Sequence, residues 1–187
     1  MYLMIDNYDS FTYNLRALFN ACGAEVKVIK NSEFIPAEGY EGIILSPGPS
    51  TPDKSGTTLE YLKRYSGDIP IFGVCLGMQS IGFASGLKVS RANTIKHGKL
   101  DTIRRKGESV LFKNFPESFR AVRYHSLAVD FNDGRMTSHS ESDSTPMSFE
   151  DPGKKLFGVQ FHPESVLSEF GKEMTTNFID FCKKEKI

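Results

Sequence analysis

The stretch Ile71-Phe72-Gly73-Val74-Cys75-Leu76-Gly77 decides the reading of the whole chain. Its four apolar residues, Ile71–Val74, read as a buried strand, and Leu76–Ala84 reads as the helix behind it. A strand that enters a helix through Gly-x-Cys-x-Gly has the form of a nucleophile elbow, with sulfur replacing the serine oxygen. The glycines answer a steric need, because a strained strand-to-helix turn tolerates only small neighbours around the nucleophile. Such a turn sets the thiol at a helix N-terminus, where the dipole and free N–H groups favour a thiolate. The backbone N–H of Leu76 is then available to a developing oxyanion. Taken alone, the motif is equally consistent with a buried cysteine on an ordinary turn.

Working outward, apolar runs alternate with helical patterns. Tyr2–Ile5, Glu25–Lys30 and Gly42–Leu45 read as strands. A helix over Phe11–Cys22 has Ser10 or Thr12 as its candidate cap and Gly23 as its stop. Another helix carries Leu59, Tyr61 and Leu62. After the elbow, from about Leu87 to Met147, the pattern becomes shorter strands and turns, including Lys96–Lys99, Arg120–Tyr124 and Leu127–Phe131. Leu156–Phe161 is one further strand, and Leu167–Lys184 closes the chain as a helix. The expected fold is α/β: an open, mostly parallel central sheet with helices on both faces, plus a small additional antiparallel sheet. No repeat, low-complexity tract or linker divides residues 1–187, so one domain is expected.

Bulk composition removes several classes of function. Lys plus Arg and Asp plus Glu number 23 each, so the formal net charge is zero. That balance leaves no electrostatic footprint for nucleic acid or an anionic membrane. No window of about 18 uninterrupted apolar residues exists to span a bilayer. The opening MYLMIDNYDS lacks a basic segment and turns acidic by position 6, unlike a secretory signal. Cys22, Cys75 and Cys182 are scattered, odd in number and without metal-ligand spacing. This pattern argues against a disulfide framework and for a reducing cytoplasm, and no metal or cofactor is expected.

A cysteine nucleophile needs a base. The histidines are His97, His125, His139 and His162. His162 lies in Gln160-Phe161-His162-Pro163-Glu164-Ser165, where an apolar strand ends, the usual position for ligand sites in open α/β sheets. Pro163 biases His162 toward extended backbone, and there the side chains of residues 162 and 164 share a face. A base beside its orienting carboxylate meets the requirement of nucleophilic catalysis. His125 is a competing base on chemistry alone. The loop Leu45-Ser46-Pro47-Gly48-Pro49-Ser50 is stiff and bare, and reads either as a rigid turn or as the source of a second oxyanion donor from Gly48.

Taken together, GVCLGMQ (73–79), LSPGPSTP (45–52) and GVQFHPES (158–165) resemble the class I, Cys-His-Glu glutamine amidotransferases. IDNYDSFTYNL (5–15), His97-Gly98-Lys99 and Arg123-Tyr124-His125-Ser126-Leu127 narrow the resemblance to the glutaminase subunits of chorismate-using synthases, aminodeoxychorismate or anthranilate synthase. The resemblance runs from Ile5 to the terminal helix. It implies Cys75 as nucleophile, His162 as base and Glu164 as its partner, with Gly48 and Leu76 donating to the oxyanion. It further implies glutamine contacts at Gly48, Pro49, Ser50, Gln79, Ser126 and Leu127. The implied partner is a chorismate-binding synthase large subunit. Two positions depart from the family: Met78 stands where His is usual, and Ser50 where Gly is usual. The motifs do not separate the two synthases, and the lean is toward a folate-type or dual-purpose subunit. The rival readings are a freestanding cysteine hydrolase of amide or γ-glutamyl bonds, and a non-catalytic flavodoxin-like binding module.

Overall fold

A computed structural model describes residues 1–131 and 134–185. In chain order its elements are β1 (Tyr2–Asp6), α1 (Thr12–Ala21), β2 (Val26–Lys30), β3 (Ile43–Leu45), α2 (Thr58–Tyr65), β4 (Ile71–Val74) and α3 (Leu76–Ala84). There follow β5 (Val89–Arg105), β6 (Ser118–Val129), β7 (Met136–Ser140), β8 (Pro146–Asp151), β9 (Leu156–Val159) and α4 (Gly171–Lys184). Among the described residues all nine strands join one sheet, in the order β2-β1-β3-β4-β9-β8-β7-β5-β6. From β2 to β9 every pairing is parallel. From β9 to β6 every pairing is antiparallel. The antiparallel strands expected as an addition are therefore hydrogen-bonded directly onto the parallel block, and β9 is the seam.

The strand period of two explains why the parallel block is covered on both faces. Tyr2 and Met4 of β1 enter a core with Leu15 and Phe19 of α1 and Met174, Phe178 and Ile179 of α4. Leu3 and Ile5 point the other way, into a core with Tyr61, Leu62 and Tyr65 of α2 and Met78 and Ile81 of α3. These strands are buried along their length, which is why they read as short continuous apolar runs.

Three expectations need correction. Neither Ser10 nor Thr12 caps α1: Phe11 occupies the cap position without a side-chain bond, and the Thr12 hydroxyl donates to Asp6 Oδ1 at 2.8 Å. The chain enters the helix instead through Asp6, which accepts the Tyr8 N–H at 2.9 Å, and Asp9, which accepts the Phe11 N–H at 2.8 Å. The last helix starts at Gly171, not near Leu167, because Phe170 is left-handed at φ 59° and a Cβ at 171 would strike the Pro163 carbonyl. The short segments expected over 96–99, 120–124 and 127–131 are parts of two long strands, of 17 and 12 residues, the second of which ends at Val129. The ladder between β5 and β6 shifts register between Arg91 and Lys96 and again between His97 and Lys99, with Gly98 at φ 67°. A bulge, not a turn, accounts for the local irregularity there.

Candidate active site

Cys75 sits between β4 and α3 at φ 52° and ψ −103°, outside the regions an L-residue normally populates. The surroundings hold it there. Its N–H donates to Val159 O on β9 at 2.8 Å, and its carbonyl accepts from Gln79 N at 3.0 Å. A Cβ on Gly73 would strike the backbone of Gly77, and a Cβ on Gly77 would strike the Leu45 carbonyl. Both glycines are therefore required by close backbone approach, as the elbow motif implies. Cys75 is 6% exposed, and its Sγ lies 3.7 Å from the Tyr124 carbonyl.

His162 follows β9 in an isolated antiparallel bridge to Val122, its N–H donating to the Val122 carbonyl at 2.9 Å. Ser168 Oγ donates to the His162 carbonyl at 2.6 Å, so both sides of its backbone are pinned. Nδ1 donates to Glu164 Oε1 at 2.6 Å, and the Glu164 side chain is wholly buried. Nε2 is buried without a hydrogen-bond partner among the described residues. Burial disfavours a charged imidazole, but the Cys75 sulfur and the Glu164 carboxylate beside it overcome that and raise the His162 pKa to about 10. The rings of Phe11 and Tyr124 stand edge-on to the imidazole, with centroids 5.6 and 6.4 Å away.

The loop carrying Gly48 is braced from below by Asn7. Asn7 Nδ2 donates to the Ser46 carbonyl at 2.9 Å, and its N–H donates to Ser46 Oγ at 2.8 Å. Asn7 Oδ1 accepts from Thr58 Oγ1 at 2.8 Å and from Asn31 Nδ2 at 3.0 Å. A Cβ on Gly48 would come within 2.5 Å of Leu76 Cδ2 and 2.8 Å of Asn7 Cβ, so the loop lies tight against the elbow. Leu76 is the first residue of α3, and its N–H has no acceptor within the helix. The Gly48 N–H has no backbone acceptor among the described residues.

These pieces border a cleft of about 740 Å³. Gly48, Pro49, Ser50, Cys75, Gln79, Ser126, Leu127 and His162 all line it. Glu164 stands behind His162. Gln79 is 3% exposed, and its Nε2 donates to the Leu127 carbonyl at 3.2 Å and to Gln160 Oε1 at 3.1 Å. His97 stacks on Tyr124 with centroids 4.9 Å apart and lies 3.2 Å from Ser126 Oγ. His125 reaches the cleft with both ring nitrogens engaged: Nε2 accepts from Arg123 Nε at 3.1 Å, and Nδ1 donates to Leu127 O at 2.7 Å. Burial, then the Arg123 charge, lowers its pKa to about 4. Met78 is buried against Gly158 in the core below, away from the cleft. Ser50 is exposed at the rim. Sequence reasoning gave no role to Asn7, which braces the Gly48 loop, or to Phe11, which packs on the imidazole. The stretch 5–15 is the signal for both, but nothing in its pattern shows that it folds over the imidazole.

No group of three or more potential metal ligands exists among the described residues, and no described helix is long and apolar enough to cross a membrane. The family model "Glutamine amidotransferase class-I" matches residues 3–181. The chain is 42% identical to the aminodeoxychorismate/anthranilate synthase component 2 of Bacillus subtilis, covering all of both chains. It is 43% identical to the anthranilate synthase component 2 of Pseudomonas aeruginosa, over 96% of this chain and 94% of that one. Among solved structures, a Thermoplasma acidophilum protein provisionally described as a GMP synthase subunit superposes with a TM-score of 0.88 at 21% identity. That match covers 100% of this chain and 96% of the other, and it shows the shared fold.

Proposed function

The chain belongs to the class I glutamine amidotransferase family, and from that premise we propose that Cys75, His162 and Glu164 hydrolyse glutamine to feed ammonia to a chorismate-aminating partner. Cys75 thiolate attacks the side-chain amide carbon, and the oxyanion forms against the N–H groups of Gly48 and Leu76. His162 delivers a proton to the leaving nitrogen, ammonia departs, and a γ-glutamyl thioester remains. The same imidazole then takes a proton from water, whose oxygen displaces the sulfur and releases glutamate. Each oxyanion donor contributes on the order of 3 kcal/mol to the barrier reduction. Glutamine itself lies against Pro49, Ser50 and Gln79, with its α-amino and carboxylate groups at Ser126 and Leu127. The whole of 1–187 acts as one domain.

The observation that carries this reading is the pairing of a strained thiol with a neighbouring imidazole whose Nδ1 is spent on a buried carboxylate, while Nε2 has no hydrogen-bond partner within bonding distance among the described residues. His125 offers no such free nitrogen. The component 2 names of the relatives support a large-subunit partner that handles chorismate. Neither a freestanding hydrolase nor a binding module gains support from any comparison.

The test uses the complex with its synthase partner and both nitrogen sources. Cys75→Ala lowers glutamine-dependent product formation by about 10⁴-fold, while added ammonium still supports the partner's amination. Loss with both sources overturns the reading. Product identification, anthranilate or aminodeoxychorismate, then assigns the partner.

A further inference from the structure

Arg123 on β6 is wholly buried, an unusual place for a guanidinium, and it lies directly behind the cleft-lining segment 124–127. Nη1 donates to Asp101 Oδ2 at 2.6 Å, Ser140 Oγ at 3.0 Å and Asp143 Oδ1 at 3.1 Å. Nη2 donates to Asp143 Oδ2 at 3.0 Å. Lys96 joins the cluster with its ammonium 2.8 Å from Asp101 Oδ2, so two cations face two carboxylates. The bidentate grip on Asp143 fixes the plane of the guanidinium. With that plane fixed, the Nε–H has one direction to point, and it points at His125 Nε2 at 3.1 Å.

That contact has a chemical consequence. A guanidinium N–H only donates, so His125 Nε2 must be the unprotonated acceptor and Nδ1 must carry the hydrogen. Nδ1–H donates to the Leu127 carbonyl at 2.7 Å, and the same carbonyl accepts Gln79 Nε2 at 3.2 Å. Both lone pairs of the Leu127 oxygen are thereby filled. The β5–β6 ladder cannot do this holding itself. Leu127 pairs with Arg91 and His125 with Lys96, and opposite the bulge between them Ser126 has no strand partner. Side chains support the strand here, beside the unpaired Ser126 that lines the cleft.

We propose that His125, its tautomer set by an Arg123 guanidinium anchored to Asp101 and Asp143, is a positioning residue that holds the Ser126–Leu127 backbone for the α-amino and carboxylate groups of glutamine. The inference rests on the amidotransferase reading given above. It assigns His125 to substrate binding and leaves the reacting amide to Cys75 and His162.

The test is saturation kinetics of Cys75 alkylation on the full chain, with 6-diazo-5-oxo-L-norleucine as the glutamine-shaped electrophile. Iodoacetamide, which lacks the α-amino and carboxylate groups, is the control. His125→Leu is expected to raise the half-saturating concentration about tenfold, the effect of one lost hydrogen bond, with the limiting rate and the iodoacetamide rate within about twofold of wild type. An unchanged half-saturating concentration overturns the inference, as does a parallel loss of iodoacetamide reactivity, which marks a merely structural role. Two conservative variants sharpen the result and serve where His125→Leu does not fold. His125→Asn keeps a donor near the Nδ1 position and is expected nearer to wild type than His125→Gln, whose longer side chain carries the amide out to the Nε2 position beside Arg123 and away from the Leu127 carbonyl; the reverse order overturns the inference. Wild-type chain that shows no saturable alkylation at Cys75 sinks the amidotransferase reading itself, an outcome distinct from any failure at His125.

Discussion

In the parallel half, β1, β3, β4 and β9 are three to five residues long and buried from end to end. In the antiparallel half, β5 and β6 run 17 and 12 residues, β5 with much of its surface in water and β6 half buried. The first half is held by apolar contact and backbone fit, and it supplies the nucleophile on a turn where no larger residue than glycine can flank it. The second half shares in that apolar packing through Ile103, Phe119, Ala121, Met147 and Phe149, adds a buried network of charges, and supplies a strand whose backbone faces the cleft. His162 lies where they meet, following β9 and bonded across to Val122 of β6. A reactive thiol needs rigid, dry, strained geometry, and apolar packing provides it. A polar substrate needs directed hydrogen-bonding groups, and these require polar support inside the protein.

Where the halves differ, in the buried charge network of one and the close-packed elbow of the other, substitutions should fail differently. Arg123→Met leaves Asp101 and Asp143 buried beside a single remaining cation, and should destabilise by about 4 kcal/mol in urea unfolding. A cost below about 1 kcal/mol would mean that water replaces the guanidinium freely. Gly77→Ala places a Cβ against the Leu45 carbonyl and should cost about 3 kcal/mol while also lowering thiol reactivity, since the turn must open to fit it. The largest polar and the largest steric effect thus fall on opposite sides of the seam.

At the seam, Glu164→Gln removes the buried partner of His162. Because the folded-state pKa of His162 is raised, to about 10, its contribution to stability is fully present below the unfolded value and is lost as pH rises through about 10. The variant should therefore be less stable than wild type by about 2 kcal/mol near pH 6, with the gap closing toward pH 10. A gap independent of pH would show that Glu164 acts through packing alone. The smallest effect belongs to Glu117→Ala, which removes an ion pair to Arg104 at the exposed edge of β5. Its side chain is 79% exposed, so the denaturation midpoint should not move measurably.

Much of the parallel half is open to sequence reasoning, because strands buried on both faces and helices with one apolar face leave periodic marks. The pattern places Ile71–Val74 and Leu76–Ala84 at the bounds they have in the fold. The entry into α1 misleads, since Ser10 and Thr12 are good caps in general while Asp6 and Asp9 take the local N–H groups here. The long strands β5 and β6 are also hidden. Their exposed residues follow no clean alternation, and bulges break what pattern there is. Nor does any local signal tell that Phe11 packs on His162, 151 positions away in the chain.

Local chemistry along the chain was enough to determine which atoms are suited to react: a thiol framed by glycines, and an imidazole one proline away from a carboxylate. Only the assembled sheet decided which histidine keeps a free nitrogen. In one dimension His125 competes with His162 on chemistry alone, and only the nearby Glu164 and the strand end favour the latter. Arg123 occupies the Nε2 of one, while the Nε2 of the other has no hydrogen-bond partner among the described residues. That difference depends on a guanidinium whose direction is set by Asp101 from β5 and Asp143 from the turn after β7, and contacts between residues so far apart in the chain exist only once the strands have paired.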